Sequence, residues 1–398
     1  MLITNGSTVT AHDFMTVNGA VNVLPGSALV VDATLYMVYT STATGLIVAS
    51  AVDLYGPISE DPDAAHVSAA AVVANSGSVI EVQDETSLSV EADMTDYGGD
   101  LLLDSGTSVL EIDGAFSQDS ESPGSITAAA GAALSFYGNG SDDDVVIHGT
   151  FDFGGDDGGA TLSSENLILI DGGTFTSTGS SGNTIDADVG VVNDGTLEVS
   201  NSLTIATGSL TIGARTAEDT TSDATLELDA SSSLSFPSAD DPSTFVITSD
   251  GALNMHGASI SMDTDRVSAL DLEGTFNSYG YSYGGSDSIT GNLTMNGSLS
   301  FTGSSLHMVW VSGDYTQGSS AELSMRLVNT PTSDVLGVGG TATIDGTLTL
   351  SGSSLSANYW NIIQTFSGVS GAFDTINDAD GGSWSHGIVG NNFRVTKS

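Results

Sequence analysis

The chain of 398 residues contains no cysteine, 7 prolines, 3 tryptophans and only 5 lysine and arginine residues. Each scarcity removes a class of explanation. Without cysteine there is neither a disulfide framework nor a thiolate metal site. The first basic residue is Arg215, followed by Arg266, Arg326, Arg394 and Lys397, so more than half of the chain carries no lysine or arginine. There is no basic stripe to release counterions from a phosphate backbone or to settle on anionic lipid, and nucleic acid is excluded as a partner. Direct membrane insertion is not expected either. The most apolar window, residues 35–55 (LYMVYTSTATGLIVASAVDLY), is interrupted by Thr, Ser, Gly45 and Asp53 and lacks charged flanks, so it reads as buried strands. The opening MLITNGSTVT has no basic stretch leading into an apolar run, and no export signal is expected in this chain.

What is abundant is acid. The 50 aspartates and glutamates leave a formal net charge of -45. Acidic chains poor in apolar residues stay unfolded, but here 39% of residues are hydrophobic, and the mean hydropathy is +0.12. That balance predicts a folded core inside a carboxylate-coated exterior, suited to saline surroundings and to screening by divalent cations.

Helix signals are nearly absent: apolar residues at i, i+3, i+4 and i+7 seldom persist. Instead 49 glycines, with Ser, Thr, Asn and Asp, punctuate short runs of alternating apolar and small polar residues. A loose unit recurs, in which Gly, Asp or Asn is followed by Gly, Ser or Thr and then by the alternating run. It is seen in GSALVV (26–31), GSVIEV (77–82), GTSVLEI (106–112), DGTLEVSNSLTIATGSLTI (194–212), GNLTMNGSLSF (291–301) and GTATIDGTLTL (340–350). One such unit cannot bury its apolar face alone. Coiling successive units about one axis, in coils of roughly 20 to 25 residues, stacks the inward side chains into a continuous core. Tandem immunoglobulin-like sandwiches bury Trp and place Pro at module boundaries, whereas here all three Trp lie at or after position 310. A propeller needs a period near 40 to 50 residues, and none is present. The sequence therefore predicts an all-β protein, a single-stranded right-handed parallel β-helix. Residues 1–327 form the solenoid, with about 1–60 as an N-terminal cap and first rungs. Residues 328–398 form the last rungs and an aromatic-containing C-terminal β cap, in which Trp360, Phe366, Phe373 and Trp384 are the expected packing residues.

The closing segment also carries a resemblance. SAELSMRL (320–327), SDVLGVGGTATIDGTLTLS (333–351), YWNIIQTFSGVSGAFDTIN (359–377) and NNFRVTK (391–397) resemble the end of passenger regions in bacterial autotransporter-like and other large surface adhesins. In those proteins a rung of the type D-x-L-x-V-x-G-x-A-x-L-x-G-T-L precedes an aromatic strand and a G-x-F-D/S-x-V/I segment. The resemblance is close over about 80 residues and covers the upstream repeats only in style. It implies a right-handed β-helix displayed outside a bacterial cell or on its surface. No amphipathic strands of a membrane barrel and no anchoring motif are seen in this chain, which leaves its route to a surface open.

Long β-helices include polysaccharide-degrading enzymes, whose catalytic constellations have recognisable requirements. A lyase acting on uronates needs cations to neutralise the substrate carboxylate, and a chain of charge -45 repels an acidic polymer. The fragments NTIDAD (183–188), HGT (148–150), HGA (256–258) and DTDR (263–266) lack the spacing of a hydrolase site. The six histidines are scattered singly, and His148 and His256 each precede Gly, as corner residues do. No catalytic residues are assigned and no enzyme activity is expected. Calcium is the cofactor that the acidic turns could accommodate. NGSDDDVV (139–146) and FGGDDGGA (153–160) place Asp142, Asp143, Asp144, Asp156 and Asp157 in glycine-rich turns whose hard oxygens suit that ion. GGSDSITG (284–291) is a single fragment of a calcium-binding nonapeptide. Ser/Thr runs such as SNSLTIATGSLTI could line an outward face that meets glycans. The expected role is that of an extracellular stalk, adhesin or surface-matrix component whose partners are copies of itself, cell-surface or matrix components, or glycans. A self-assembling sheath, filament or surface-layer subunit is the first alternative. A polysaccharide-binding or polysaccharide-degrading β-helix is the second.

Overall fold

In a computed structural model of the chain, the described residues exclude 38–45, 50–64, 137–143, 215–223, 238–242, 280–285 and 379–383, together with stretches of one to four residues elsewhere. Every regular element among the described residues is a β-strand, and none of them belongs to a helix long and apolar enough to cross a membrane. The chain falls into two compact units. The first comprises residues 1–191, 195–197 and 201–207, and the second comprises 192–194, 198–200 and 208–398.

Each unit is a β-solenoid. In the first, Ala20–Val23, Leu46–Ala49, Val79–Val82, Asp100–Leu103, Ser125–Ala128, Thr150–Phe153 and Thr174–Ser177 pair in parallel, one strand per coil. This ladder is one face of a three-sided coil. A second face runs through Thr86–Val90, Val109–Ile112, Ala133–Phe136 and the start of Thr161–Ile170. A third runs through Met94–Tyr97, Phe116–Gln118 and Asp144–Ile147 to the end of that same long strand. Of the apolar window at 35–55, the described parts lie in the strands Ala28–Met37 and Leu46–Ala49.

The second unit repeats the plan more regularly. On its first face residues 252, 275, 298, 322, 347 and 375 stand one above another, so the coil steps are 23, 23, 24, 25 and 28 residues. The last of these steps exceeds the expected 20 to 25 because residues are added between strands, not within them. The strands Glu322–Arg326 and Thr347–Ser351 stay in register over five residues. The stretch DVLGVGGTATIDGTLTLSG holds one strand of each face in turn: Val335–Val338 on the second, Thr341–Ile344 on the third and Thr347–Ser351 on the first. Asp345-Gly346 is the corner between the last two, and Gly346 takes the positive φ (67°) that such a corner needs.

Alternation explains the core. Side chains point in and out with period two, so each parallel register stacks like on like along the coils. Leu226, Leu253, Phe276, Leu299, Leu323 and Leu348 form one such inward column, each buried. In the first unit Phe151, Phe153 and Phe175 meet with ring centroids 4.8–5.5 Å apart. Burying an aromatic or a leucine in this way stabilises the fold by roughly 1.5–3 kcal/mol per side chain.

The last coil changes from parallel to antiparallel pairing. Asn358–Thr365 lies parallel to the coil before it, but its other edge takes Asn392–Lys397 antiparallel, and Trp384–Val389 pairs antiparallel with that strand in turn. The hairpin thus adds to the second face.

Candidate functional site

The sequence candidates for calcium fall largely outside the described residues. Asp142, Asp143, Asp156 and Asp157 all do, and Asp144 is described only as the first residue of the strand Asp144–Ile147. Among the described residues no group of three or more His, Asp and Glu side chains is placed to hold a metal ion. Arg215 and Arg266, the cations a polysaccharide-degrading site would have drawn upon, also lie outside them. Asp287, from the nonapeptide-like fragment, is described and sits inside the coil, where its carboxylate faces protein donors.

The expected packing residues divide. Trp360 is buried, its ring 5.9 Å from that of the half-buried Trp384, and its indole N–H donates to Val328 C=O at 3.0 Å. Phe373 is buried edge-on against Phe393 at 5.1 Å. Phe366 lies outside the core: it is 74% exposed and meets Trp310 at 5.7 Å.

Sequence reasoning overlooked the polar groups that the alternation turns inward. In the second unit, Ser278 occupies the inward column of Met255 and Phe301, and Asp287 that of Val309 and Leu336. Both are fully buried. Asp287 accepts from Gly257 N–H at 2.6 Å, from Ala258 N–H at 3.0 Å and from the Ser278 hydroxyl. One coil on, the buried His307 donates through Nε2 to Ser278 C=O at 2.7 Å, while its Nδ1 lies 3.1 Å from Ser305 C=O and 3.9 Å from Asp334 Oδ1. Asp334 is wholly buried and accepts from His307 N–H (3.2 Å), Arg326 N–H (2.9 Å) and the Arg326 guanidinium (3.4 Å). That guanidinium also spans the carbonyls of Gly303 and Ser305. Burial pushes the Asp334 carboxyl up from its ordinary range, opposed by the Arg326 and His307 hydrogen bonds and charges.

The first unit has a corresponding pair. Asp96 and Gln118 are register partners on the third face, both buried. Asp96 accepts from Gly99 N–H at 2.6 Å and from Gln118 Nε2 at 3.2 Å; Gln118 also donates to Gly124 C=O and accepts from Gly149 N–H. Burial raises the Asp96 carboxyl to about 6, against the lowering effect of those hydrogen bonds. Asn183 fills a similar position, accepting from Ala160 N–H and donating to Phe153 C=O and the Ser177 hydroxyl. The parity signal was legible for some of these residues. Asp287 shares its inward phase with Ile289, as Asp96 does with Met94.

An outward set accompanies them on the first face of the second unit. Glu227 accepts from Asn254 Nδ2 at 2.8 Å and lies 2.5 Å from His256 Nε2, while Asn277 donates to Asn254. His256 stacks flat on Tyr279 at 4.5 Å. In the first unit His148 lies 2.5 Å from Asp171 C=O. Each histidine is held next to a corner by a residue one coil on or one coil back. Chemically, these constellations join backbone groups of successive coils, and the buried carboxylates spend their lone pairs on protein donors.

No protein-family model matches the chain. No curated protein matches it in sequence.

Proposed function

We propose that the chain is an extracellular structural and adhesive β-solenoid, a stalk, adhesin or surface-matrix component of a bacterium, without catalytic activity. The observation that carries this reading is the use made of the buried ionisable groups. Asp96, Asp287, His307, Asp334 and Arg326 are each engaged by neighbouring coils, as staples are, and their polar atoms are directed at backbone partners. The outward first-face column of the second unit, from Asn254 and Asn277 through Ser300, Ser324 and Thr349 to Asn377, is a ladder of small neutral polar residues. Such a ladder hydrates the sheet and offers surface for contact. Acidic residues elsewhere keep copies apart until screened by salt or by calcium.

Two measurements test the reading. Protease added to intact source cells, with immunoblotting for this chain, is expected to digest it; complete protection would place it inside the cell and overturn the proposal. Incubation of the purified chain with neutral and uronate polysaccharides is expected to release no reducing ends and no unsaturated uronates. Turnover of any of them would replace the structural role with an enzymatic one.

A further inference from the structure

The second face of the second unit breaks the acidic rule of the surface. Ser288, Trp310, Gly337 and Gln364 are register neighbours on four adjacent strands, Asp287–Thr290, Met308–Val311, Val335–Val338 and Asn358–Thr365, and all point outward. No outward position on these four strands carries a charge, in a chain with 50 acidic residues. The outward side chains include instead Met308, 36% exposed, with Phe366 following the last strand at 74%. Exposed apolar area of this kind on a strongly charged molecule marks a binding surface.

Its shape is set by a glycine. A Cβ on Gly337 would lie 2.5 Å from Cε3 and 2.9 Å from Cζ3 of Trp310, so the indole lies down on the sheet over a position that only hydrogen can occupy. Phe366 stands edge-on beside it at 5.7 Å and 64°. The result is a shallow aromatic shelf in which the half-buried indole lies over the Gly337 backbone. Ser288 and Gln364 border it with a hydroxyl and an amide group.

We propose that this shelf binds neutral polysaccharide, with Trp310 and Phe366 stacking against the apolar faces of pyranose rings. A sugar ring offers a flat array of C–H bonds to the negative face of an aromatic ring and hydroxyls to flanking amides and hydroxyls. The four strands carry no charged outward side chain, and Arg394 on the adjoining strand is taken up by Asn361 and the Tyr359 ring. The net charge of -45 repels acidic polymers, and neutral glycans meet no such barrier. The assignment rests on the adhesive reading above and names its ligand class and its site.

Affinity electrophoresis tests it, with native gels containing dextran, galactomannan, xyloglucan or, as the acidic comparison, alginate. The expected result is retardation by at least one neutral polymer and none by alginate. Trp310→Ala and Phe366→Ala should each weaken that retardation about tenfold in Kd, and Ile388→Ala, an exposed apolar residue outside the shelf, should not. Thermal melts of all variants should superimpose, because both side chains are outside the core. Gly337→Ala, which lifts the indole off the sheet, should weaken binding in the same polymer. No retardation by any neutral polymer, or retardation that survives both aromatic substitutions, overturns the shelf. So does light scattering in which Trp310→Ala turns a dimer into a monomer, because the face would then be a contact between copies. None of these outcomes alters protease accessibility or polysaccharide turnover, so the shelf can fail while the structural role stands.

Discussion

Asp96 places a carboxylate where the alternation calls for an apolar side chain, and its surroundings decide its charge. Its carboxyl is raised from 3.8 to about 6 because burial penalises the ion more than Gly99 and Gln118 reward it. A carboxyl with a raised folded-state value contributes stability that is fully present below 3.8 and is lost as pH rises through about 6. Asp96→Asn keeps an acceptor for Gly99 and abolishes the titration. Urea titrations at pH 4, 5 and 7 should show the variant gaining on the native chain as pH rises; equal slopes would show that Asp96 titrates alike in the folded and unfolded chains. Arg326 makes a second case at this scale. Its planar fork reaches Asp334 and the carbonyls of Gly303 and Ser305 together, which an ammonium on a flexible stem does not reproduce. Arg326→Lys is expected to cost about 1–3 kcal/mol in urea unfolding, and a loss below the error of the titration would mean that the buried Asp334 needs only a nearby positive charge.

At the scale of elements, the coil depends on positions where two backbones nearly touch. A Cβ on Gly124 would stand 1.9 Å from Gly99 O and 2.2 Å from Asp96 Oδ2, so Gly124→Ala should displace the coil joint and the buried carboxylate with it. Its melting temperature should fall well below that of an outward control such as Thr127→Ala; equal values would show that the joint relaxes freely. The inward columns behave differently, because they lose contacts instead of gaining clashes. Phe276→Ala, between Leu253 and Leu299, is expected to cost about 3–5 kcal/mol in calorimetry or urea unfolding. The strands themselves were readable in the sequence wherever Leu, Ile, Val or Phe alternates with small polar residues, as in residues 291–301 and 340–350. The joints were less so, because a glycine required by an approaching backbone looks the same in sequence as one required by a turn.

At the scale of the whole molecule the net charge of -45 governs behaviour in solution. Carboxylates crowded on a folded chain repel one another more than on an expanded one, and salt shortens the range of that repulsion from about 30 Å at 0.01 M to about 3 Å at 1 M. Scanning calorimetry should therefore show the melting temperature rising steadily between those two sodium chloride concentrations. Calcium at millimolar concentration, compared with sodium chloride of equal ionic strength, separates screening from a site: a further rise with calcium is expected if the acidic turns hold the ion, and coincident melts would remove that proposal.

The sequence by itself determined that this is an all-β chain coiled into a solenoid, with leucine, isoleucine and phenylalanine inward and small polar residues outward. Those properties are local: a period of two and a small residue at each turn suffice to specify them. Only the tertiary structure decided which partners hold the inward Asp96, Ser278 and Asp287, that Asp334 lies inside, that Arg326 closes a corner, and that Trp310 lies over Gly337. Each of those placements depends on a partner brought alongside from another part of the coil stack. Gln118 meets Gly149 across 31 residues, His307 meets Ser278 across 29, and Asp287 meets Gly257 across 30. The coil steps of 23 to 28 residues in the second unit vary from one coil to the next. The register that pairs such residues is therefore set by how the stacked faces pack together, beyond the reach of any single repeat.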